Sequence, residues 1–272
     1  LIEVLEQEKM QFFILMPGMV GEFAAILKER KVRIKGVGSC GAMADLVPRE
    51  DIAAVTTVIG APYNNTFGAT ETGLPPATSS TIPIGVAPTN LAKRQSAFCD
   101  LRLVDPDDND VPHGEPGEVA MRGPTLFSGY WNADETNAHD FRNGWFHMGD
   151  VLRRNPDGSL DYVDRVKYMI KSGGENIYPA EIEQVILTDE RVREAVVVKR
   201  PDKRWGEVPV VFIVANQDAL TEEEILENCK DNLSSYKRPK QVIFITEDEL
   251  PRSTTGKVQR HELEARLEAP NR

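Results

Sequence analysis

Apolar residues recur along this chain at two different spacings, and the changes of spacing mark where its parts begin and end. After Pro17, a residue suited to the first turn of a helix, Met19, Val20, Phe23, Ile26 and Leu27 follow at the three-to-four interval of a helix with one buried face. Residues 32–37 predict a strand that enters a Gly/Ser turn over 36–41, and residues 51–59 predict a second helix. Residues 62–67 predict another strand, which runs into Gly68, Ala69, Thr70 and Glu71. Helices and strands alternating in this order predict an α/β layer with parallel strands.

From about residue 84 to 164 the texture changes. Short apolar runs are separated by turn signals at Asp105-Pro106-Asp107-Asp108, Glu115-Pro116-Gly117 and Asn155-Pro156-Asp157-Gly158. The last of these lies between residues 151–154 and 159–163 and predicts a hairpin. The whole stretch predicts a small antiparallel barrel or sandwich. Beyond Arg165 the α/β texture returns. Pro179 opens a helix with Ile182, Val185 and Ile186 on one side, and residues 195–198 and 208–214 predict strands. Thr221 and Glu224 have the spacing of a capping box for a helix carrying Ile225 and Leu226. Residues 241–245 predict a strand and 258–267 a last helix. The expected organisation is an α/β subdomain over 1–83, a small β subdomain over 84–164 and an α+β domain over 165–272, with a hinge at 165–168.

Composition narrows what such a protein binds. At 272 residues the chain is long enough for two domains. Its 32 Lys and Arg against 43 Asp and Glu leave a formal charge of −11, which speaks against a nucleic-acid partner while allowing a local basic pocket. The longest apolar runs, 12–16 and 208–215, are too short to span a bilayer. Cys40, Cys99 and Cys229 form no CxxC pair and no metal-ligand spacing, and an odd count without a secretory signal fits the cytoplasm. The chain starts at Leu1, already inside an apolar pattern, and reads as a piece of a longer protein.

Several polar segments carry candidate chemistry, each with a plainer alternative. Phe67 to Glu71 sits at the carboxyl end of an expected strand, where open α/β sheets bind ligands. There Gly68 lets a ligand near the backbone, Thr70 offers a hydroxyl to a phosphate, and Glu71 offers a hard oxygen to Mg2+; the same residues suit a solvated turn capping a helix. Asp150, after Gly144-Trp145-Phe146-His147-Met148-Gly149, can accept from both hydroxyls of a ribose or simply open a hairpin, and His147 reads as structural. Residues 165–183 hold a charged pivot, a short apolar strand, the Gly173-Gly174 loop and a Pro-started helix. Pro251 to Lys257 is a polar loop ending in a compact positive charge, which can meet a phosphate or carboxylate or stay solvated. Tyr236-Lys237-Arg238-Pro239-Lys240 concentrates cations, and Trp205 offers a flat ring for a purine; a solvated turn and a core-edge aromatic have the same composition.

Taken in this order and spacing, and joined by Gly117-Glu118-Val119-Ala120-Met121-Arg122-Gly123-Pro124-Thr125-Leu126-Phe127-Ser128-Gly129-Tyr130-Trp131, these segments resemble the AMP-forming adenylating superfamily of acyl- and aryl-CoA ligases, firefly luciferase and peptide-synthetase adenylation domains. The resemblance covers nearly the whole chain. It implies the C-terminal half of an AMP-forming acyl-CoA synthetase, with the end of a large α/β adenylating domain followed by a small mobile α+β domain. It implies ATP/AMP, Mg2+ and coenzyme A as cofactors, and a fatty or aromatic carboxylic acid as substrate. Thr70 would contact the α-phosphate, Glu71 would hold Mg2+, and Phe67 would pack on adenine where relatives usually carry Tyr. Gly41, Ala42 and Gly68 would flank the nucleotide. Asp150 would bind the ribose with help from Arg165, Lys167 would be the hinge, and Lys257 would bridge the carboxylate and the α-phosphate. Gly173 and Gly174 would line the pantetheine tunnel, while Trp205, Tyr236, Arg238 and Lys240 match CoA contacts in ligases of the chlorobenzoate type.

One departure stands out. The family's Ser/Thr/Gly-rich loop ending in Pro-Lys-Gly, which cradles the β- and γ-phosphates, is not among these residues and is expected upstream of Leu1. On that reading the chain alone has little or no ligase activity. Two alternatives stand beside the CoA ligase: an adenylating enzyme that charges a carrier protein, and a non-catalytic nucleotide-binding module. Nothing in the pattern specifies the oligomeric state, a homodimer included.

Overall fold

The computed structural model describes residues 2–32, 34, 36–41, 43–45, 47–216, 220–254 and 256–268. It divides into two compact units, Leu1–Tyr162 and Val163–Arg272.

The first unit opens with α1 (Ile2–Gln7), β1 (Phe12–Ile14), α2 (Val20–Glu29), β2 (Ser39–Gly41), α3 (Arg49–Ile59) and β3 (Tyr63–Asn64). The three strands run parallel in the order β1-β2-β3. Helix α2 forms where the sequence places a one-sided apolar stripe: Val20, Phe23, Ala24 and Leu27 are buried and meet Ile52, Val55 and Ile59 of α3 in one core. Helix α3 stops at Gly60, whose left-handed φ of 72° lets its N–H donate to Thr56 O at 2.8 Å. Among the described residues of 32–37 none is in a strand, contrary to expectation. Gly36, at a φ of 73°, bends the chain there, and pairing begins at β2 instead.

The unit continues with β4 (Thr66–Phe67), β5 (Ala77–Ser79), β6 (Lys93–Gln95), β7 (Asp100–Val104), β8 (Pro116–Arg122), α4 (Asp134–Asp140), β9 (Phe146–Arg154) and β10 (Leu160–Arg165). These strands form a seven-stranded sheet in the order β4-β5-β6-β10-β9-β8-β7. Among the described residues the order is linear, so the expected barrel is an open sheet; its two-residue end strand β4 offers too few pairing groups to close a circuit with β7. Alternate positions, such as Leu101 and Leu103 on β7 and Val119 and Met121 on β8, supply the core. The expected hairpin is present between β9 and β10, closed by Asn155 N–H to Ser159 O at 2.8 Å and Gly158 N–H to Asn155 O at 2.9 Å.

The second unit contains β11 (Ile170–Ser172), β12 (Glu175–Ile177), α5 (Pro179–Ile186), β13 (Val192–Asp202), β14 (Gly206–Ala215), α6 (Glu222–Asn232), β15 (Val242–Phe244) and α7 (Arg260–Glu268). β13 and β14 are a long antiparallel pair; β11 and β15 join β14, and β12 joins β11. The middles of the two long strands, Ala195 to Val198 and Val208 to Val214, are continuously apolar because both faces are covered there. Val197, Val211 and Ile213 pack with Ile182, Ile186, Ile225 and Cys229 of α5 and α6, while Val196, Val198, Val210 and Phe212 pack with Leu250 and with Leu263 of α7. Helix α6 begins with the expected capping box: Glu224 N–H donates to Thr221 Oγ1 at 3.3 Å, and Thr221 N–H donates to Glu224 Oε2 at 3.0 Å. Among the described residues no helix is long and apolar enough to cross a membrane.

A lysine is fully buried inside the first unit. The Lys93 side chain, on β6, is 0% exposed, and its Nζ donates to both carboxylate oxygens of Asp45 at 2.7 and 2.8 Å. Asp45 follows β2, so this pair ties the antiparallel sheet to the α/β layer. Replacing Asp45→Leu alone leaves a buried ammonium without its carboxylate, and urea denaturation is expected to show a loss of about 3–5 kcal/mol. The Asp45→Leu/Lys93→Met double variant should recover most of that loss. A single variant as stable as the parent would show that the pair is dispensable.

Candidate functional site

A cavity of about 240 Å³ opens in the first unit between Ile14 and Met43 of the α/β layer and Thr66, Gly68, Ala69 and Thr72 of β4 and the turn after it. Thr72 shapes that turn: its hydroxyl donates to Ala69 O at 2.8 Å and accepts from Ala69 N–H at 3.2 Å. Thr70–Thr72 is a single 3-10 turn on which Thr70 is exposed and Glu71 half-buried. The turn tolerates only a small residue at Gly68, where a Cβ would lie 3.0 Å from Pro76 Cδ. Gly68 lines the cavity together with Ala69 and Thr72, while Thr70 and Glu71 occupy the turn between these lining residues without lining it themselves. Gly41 ends β2, and a Cβ there would collide with the Asn64 carbonyl of the adjacent strand. Ala42 lies outside the described residues. Phe67 departs from the expectation of packing on a base: it is 2% exposed and its ring lies in the sheet core, 6.4 Å from that of Tyr162.

Glu71 is held at both ends of the residue. Its main-chain oxygen accepts from Phe127 N–H at 2.9 Å, and its Oε1 accepts from the Tyr130 hydroxyl at 2.9 Å. Sequence reasoning missed Tyr130; it stood in the quoted 117–131 segment with no pattern linking it to Glu71. Among the described residues no three His, Cys, Asp or Glu side chains converge as a metal cage. A lone carboxylate suits Mg2+, which takes one or two carboxylates and keeps its other positions for water and phosphate oxygens.

Asp150 is buried on β9. Nearby on the same strand, His147 lies 3.4 Å from Glu118 and 3.6 Å from Asp108, with Arg142 bridging both carboxylates. Burial, and then the Arg142 charge, push the His147 pKa below its usual value despite the two carboxylates. A neutral imidazole enclosed in this way serves packing, as its sequence context suggests.

In the second unit Lys257 is exposed at the end of a tightly braced loop. Its carbonyl accepts from Ser253 N–H at 2.8 Å, and Gly256 N–H donates to Ser253 O at 2.8 Å. Arg252 pairs with Glu194, and its backbone bridges to Val258. Arg260, at the start of α7, is clamped by both oxygens of the buried Glu183 at 2.6 and 3.0 Å and lies 4.8 Å over the Tyr168 ring. Lys167, in the 3-10 turn Val166–Tyr168, covers the same tyrosine at 4.8 Å. Arg165 ends β10, its N–H bonded to Asp164 at 2.7 Å. The lysine loop, Arg260 and the expected hinge turn therefore share one set of contacts inside this unit. Arg260 stands three places after Lys257, a signal that sequence reading passed over.

The expected CoA contacts gather less completely. Gly173 N–H donates to Trp205 O at 2.8 Å, and a Cβ on Gly173 would meet the Trp205 ring at 2.8 Å. Gly174, with a φ of 92°, has open space where its Cβ would be. The Asp202 carboxylate accepts from Trp205 and Arg204 N–H groups, which lower its pKa, and the charges of Arg200 and Lys240 lower it further. Tyr236 is in the 3-10 turn Ser235–Lys237, packed against β12. Arg238 is turned elsewhere: its guanidinium donates to Leu233 O at 3.1 Å and Lys230 O at 3.0 Å, closing the end of α6.

Asp164, next to the expected hinge, is 2% exposed and accepts from Ala180 N–H at 2.7 Å. Burial and the charge of Glu183 push its pKa from 3.8 to about 6, against the pull of Arg260 and two backbone N–H groups. A carboxyl whose pKa is raised by folding contributes stability below its unfolded pKa and loses it as pH rises through the folded value. Asp164→Asn, which has no proton to lose, is thus expected to cost more stability at pH 4.5 than at pH 7.5 in urea denaturation. Equal costs at the two pH values would show that Asp164 does not titrate in this window.

Two families match the chain: AMP-binding enzyme over residues 1–131, and AMP-binding enzyme C-terminal domain over residues 181–257. Among curated proteins it is similar to 2-succinylbenzoate–CoA ligase of Bacillus mycoides (strain KBAB4), 41% identical over 214 residues that make 77% of this chain and 42% of that protein. It is also similar to long-chain-fatty-acid–CoA ligase of Escherichia coli O6:H1, 42% identical over 175 residues, 64% of this chain and 31% of the other. The structure of o-succinylbenzoate CoA synthetase from Bacillus subtilis, in complex with its acyl-adenylate intermediate, superposes with a TM-score of 0.75 at 27% identity over 97% of this chain and 52% of that one. An anthranilate CoA ligase in complex with anthranoyl-AMP gives 0.81 at 25% identity over 98% and 51%. The chain spans about half the length, or less, of the relatives it matches. Matched by these families at both ends, and sharing its mixed α/β fold with solved adenylating enzymes, the chain belongs to the AMP-forming, adenylate-forming superfamily.

Proposed function

We propose that the protein carrying this chain is an ATP-dependent, AMP-forming acyl-CoA ligase, which activates a fatty or aromatic carboxylic acid as an acyl-adenylate and passes the acyl group to coenzyme A. The observation that carries this reading is the 41% identity over 214 residues with a CoA ligase. The geometry supports it by offering a braced, exposed Lys257 in one unit and a fixed carboxylate beside a cavity in the other. A cytoplasmic location belongs to the same reading and rests on the unpaired cysteines.

A carboxylate attacks the α-phosphorus of ATP only when the repulsion between two anions is offset in a water-poor cleft. In this reading the Lys257 ammonium supplies that charge, and Thr70 donates its hydroxyl to an α-phosphate oxygen. Glu71 holds Mg2+, which supplies charge neutralisation at the phosphates when bound. Asp150 accepts from the ribose hydroxyls, with Arg165 in support. Pyrophosphate leaves as the acid oxygen bonds to phosphorus. The CoA thiol then adds to the acyl carbonyl and AMP leaves with the electron pair. Lys167 is the pivot on which the second unit turns between these steps. Gly173, Gly174, Trp205, Tyr236 and Lys240 form the CoA surface, while Arg238 serves it through the end of α6.

In the full-length protein, Lys257→Ala is expected to slow pyrophosphate release by about 10²- to 10³-fold, the size of losing one preorganised charge donor. Thioester formation from synthetic acyl-adenylate should fall far less. Unchanged pyrophosphate release would overturn the adenylation role. Lys240→Ala should raise the KM for CoA by about two- to fivefold, as for an exposed ion pair, and leave adenylate formation alone. No change in that KM, together with charging of a carrier protein, would favour the carrier-protein acceptor.

A further inference from the structure

A half-buried glutamate on a single 3-10 turn is a poor metal ligand unless something else stops its side chain from wandering. Glu71 is such a residue, and the structure supplies the restraint from a distant part of the chain. An ionised carboxylate can only accept, so in the 2.9 Å contact between Tyr130 and Glu71 Oε1 the phenol is the donor. The bond occupies one carboxylate oxygen and leaves the other for a cation. Tyr130 is itself immobilised. Asn137, on α4, takes both of its backbone groups: Tyr130 N–H donates to Asn137 Oδ1 at 2.7 Å, and Asn137 Nδ2 donates to Tyr130 O at 2.8 Å. Gly129, at a φ of 133°, lets the backbone pass the Asn137 side chain, which lies 3.1 Å from where its Cβ would be. The Tyr130 ring stands edge-on to Phe127 at 4.8 Å, and Phe127 is packed on Phe141 and Phe146 at 5.3 and 5.1 Å. Phe127 also grips the Glu71 backbone.

We infer that Tyr130 is a positioning residue for Glu71, with Asn137 as its brace, and that together they set the affinity of the site for a divalent cation. The inference rests on the reading of Glu71 as the Mg2+ ligand. Outer-shell hydrogen bonds to ligating carboxylates are worth about ten- to a hundredfold in metal affinity or activity. Removing a phenol while keeping its ring therefore tests the bond without emptying the aromatic cluster.

The experiment uses Tyr130→Phe, Asn137→Ser and Glu71→Gln in the full-length protein. Mn2+ binding is read by electron paramagnetic resonance in the presence of a non-hydrolysable ATP analogue. The Mg2+ dependence of pyrophosphate release and the rate of thioester formation from synthetic acyl-adenylate are measured beside it. Tyr130→Phe is expected to weaken Mn2+ binding about tenfold and to raise the Mg2+ requirement in parallel, with the adenylate-to-thioester rate unchanged. Asn137→Ser should move the same two quantities in the same direction by less, and it provides the reading if Tyr130→Phe does not fold. If Glu71→Gln loses the cation while Tyr130→Phe and Asn137→Ser keep it, the positioning role is overturned and the Glu71 reading stands. If Glu71→Gln also keeps the cation, both are overturned. An equal fall in both half-reactions with Mn2+ binding intact would reduce Tyr130 to a packing residue.

Discussion

A lysine enclosed by protein can keep its charge only if an acid comes to it, and in the first unit this requirement decides how two layers meet. Lys93 rises from the antiparallel sheet and Asp45 descends from the end of the parallel one, and their contact leaves neither layer free to slide. The cavity depends on the same junction. Met43, two places before Asp45, forms one wall, and the turn after β4 forms the other. A shift of the junction would open or close the space that Gly68, Ala69 and Thr72 line, next to the turn that carries Thr70 and Glu71. The charge pair is thus less a source of stability than a specification of geometry, since apolar residues in its place would hold the layers together without fixing their register.

The second unit solves a related problem by different means. Its long strand pair is covered on both faces, so its position is set by packing alone, and the polar groups sit where helices and loops leave it. Glu183 projects from α5 into this interior and collects Val197 N–H as well as the Arg260 guanidinium. Burial works against the Arg260 charge, but Glu183 and Asp164 raise its pKa and keep it ionised. Asp164 is left buried beside the Glu183 charge, and burial first, then that like charge, push its pKa up to about 6 against the pull of Arg260.

Much of this organisation is legible in residue order. The helix stripe of α2, the capping box of Thr221 and Glu224, and the turn from Asn155 to Gly158 depend on neighbours within a few positions, which is the range over which sequence patterns speak. The strand expected over 32–37 was misplaced because short apolar runs do not distinguish a strand from an extended approach to one, and Gly36 moves the pairing point forward. Phe67 shows a second limit. A motif can say that an aromatic stands at a strand end, but which face its ring takes is settled by the sheet around it. Arg238 shows a third: a cation in a basic cluster was free to reach a ligand on paper, yet the open carbonyls at the end of α6 claim it. Tyr130 and Glu71 are far apart in sequence, and no local pattern can join them.

The bracing around Lys257 has a consequence for how that charge can travel. Arg252 is tied on one side and Arg260 on the other, and the strand-like bridge from Arg252 to Val258 removes the slack between them. What remains free is the side chain itself, a flexible four-carbon tether. Such a lysine is a passenger. In the proposed ligase cycle, a change in what it touches is therefore expected to come from moving the loop together with Tyr168, Glu183 and the strand pair.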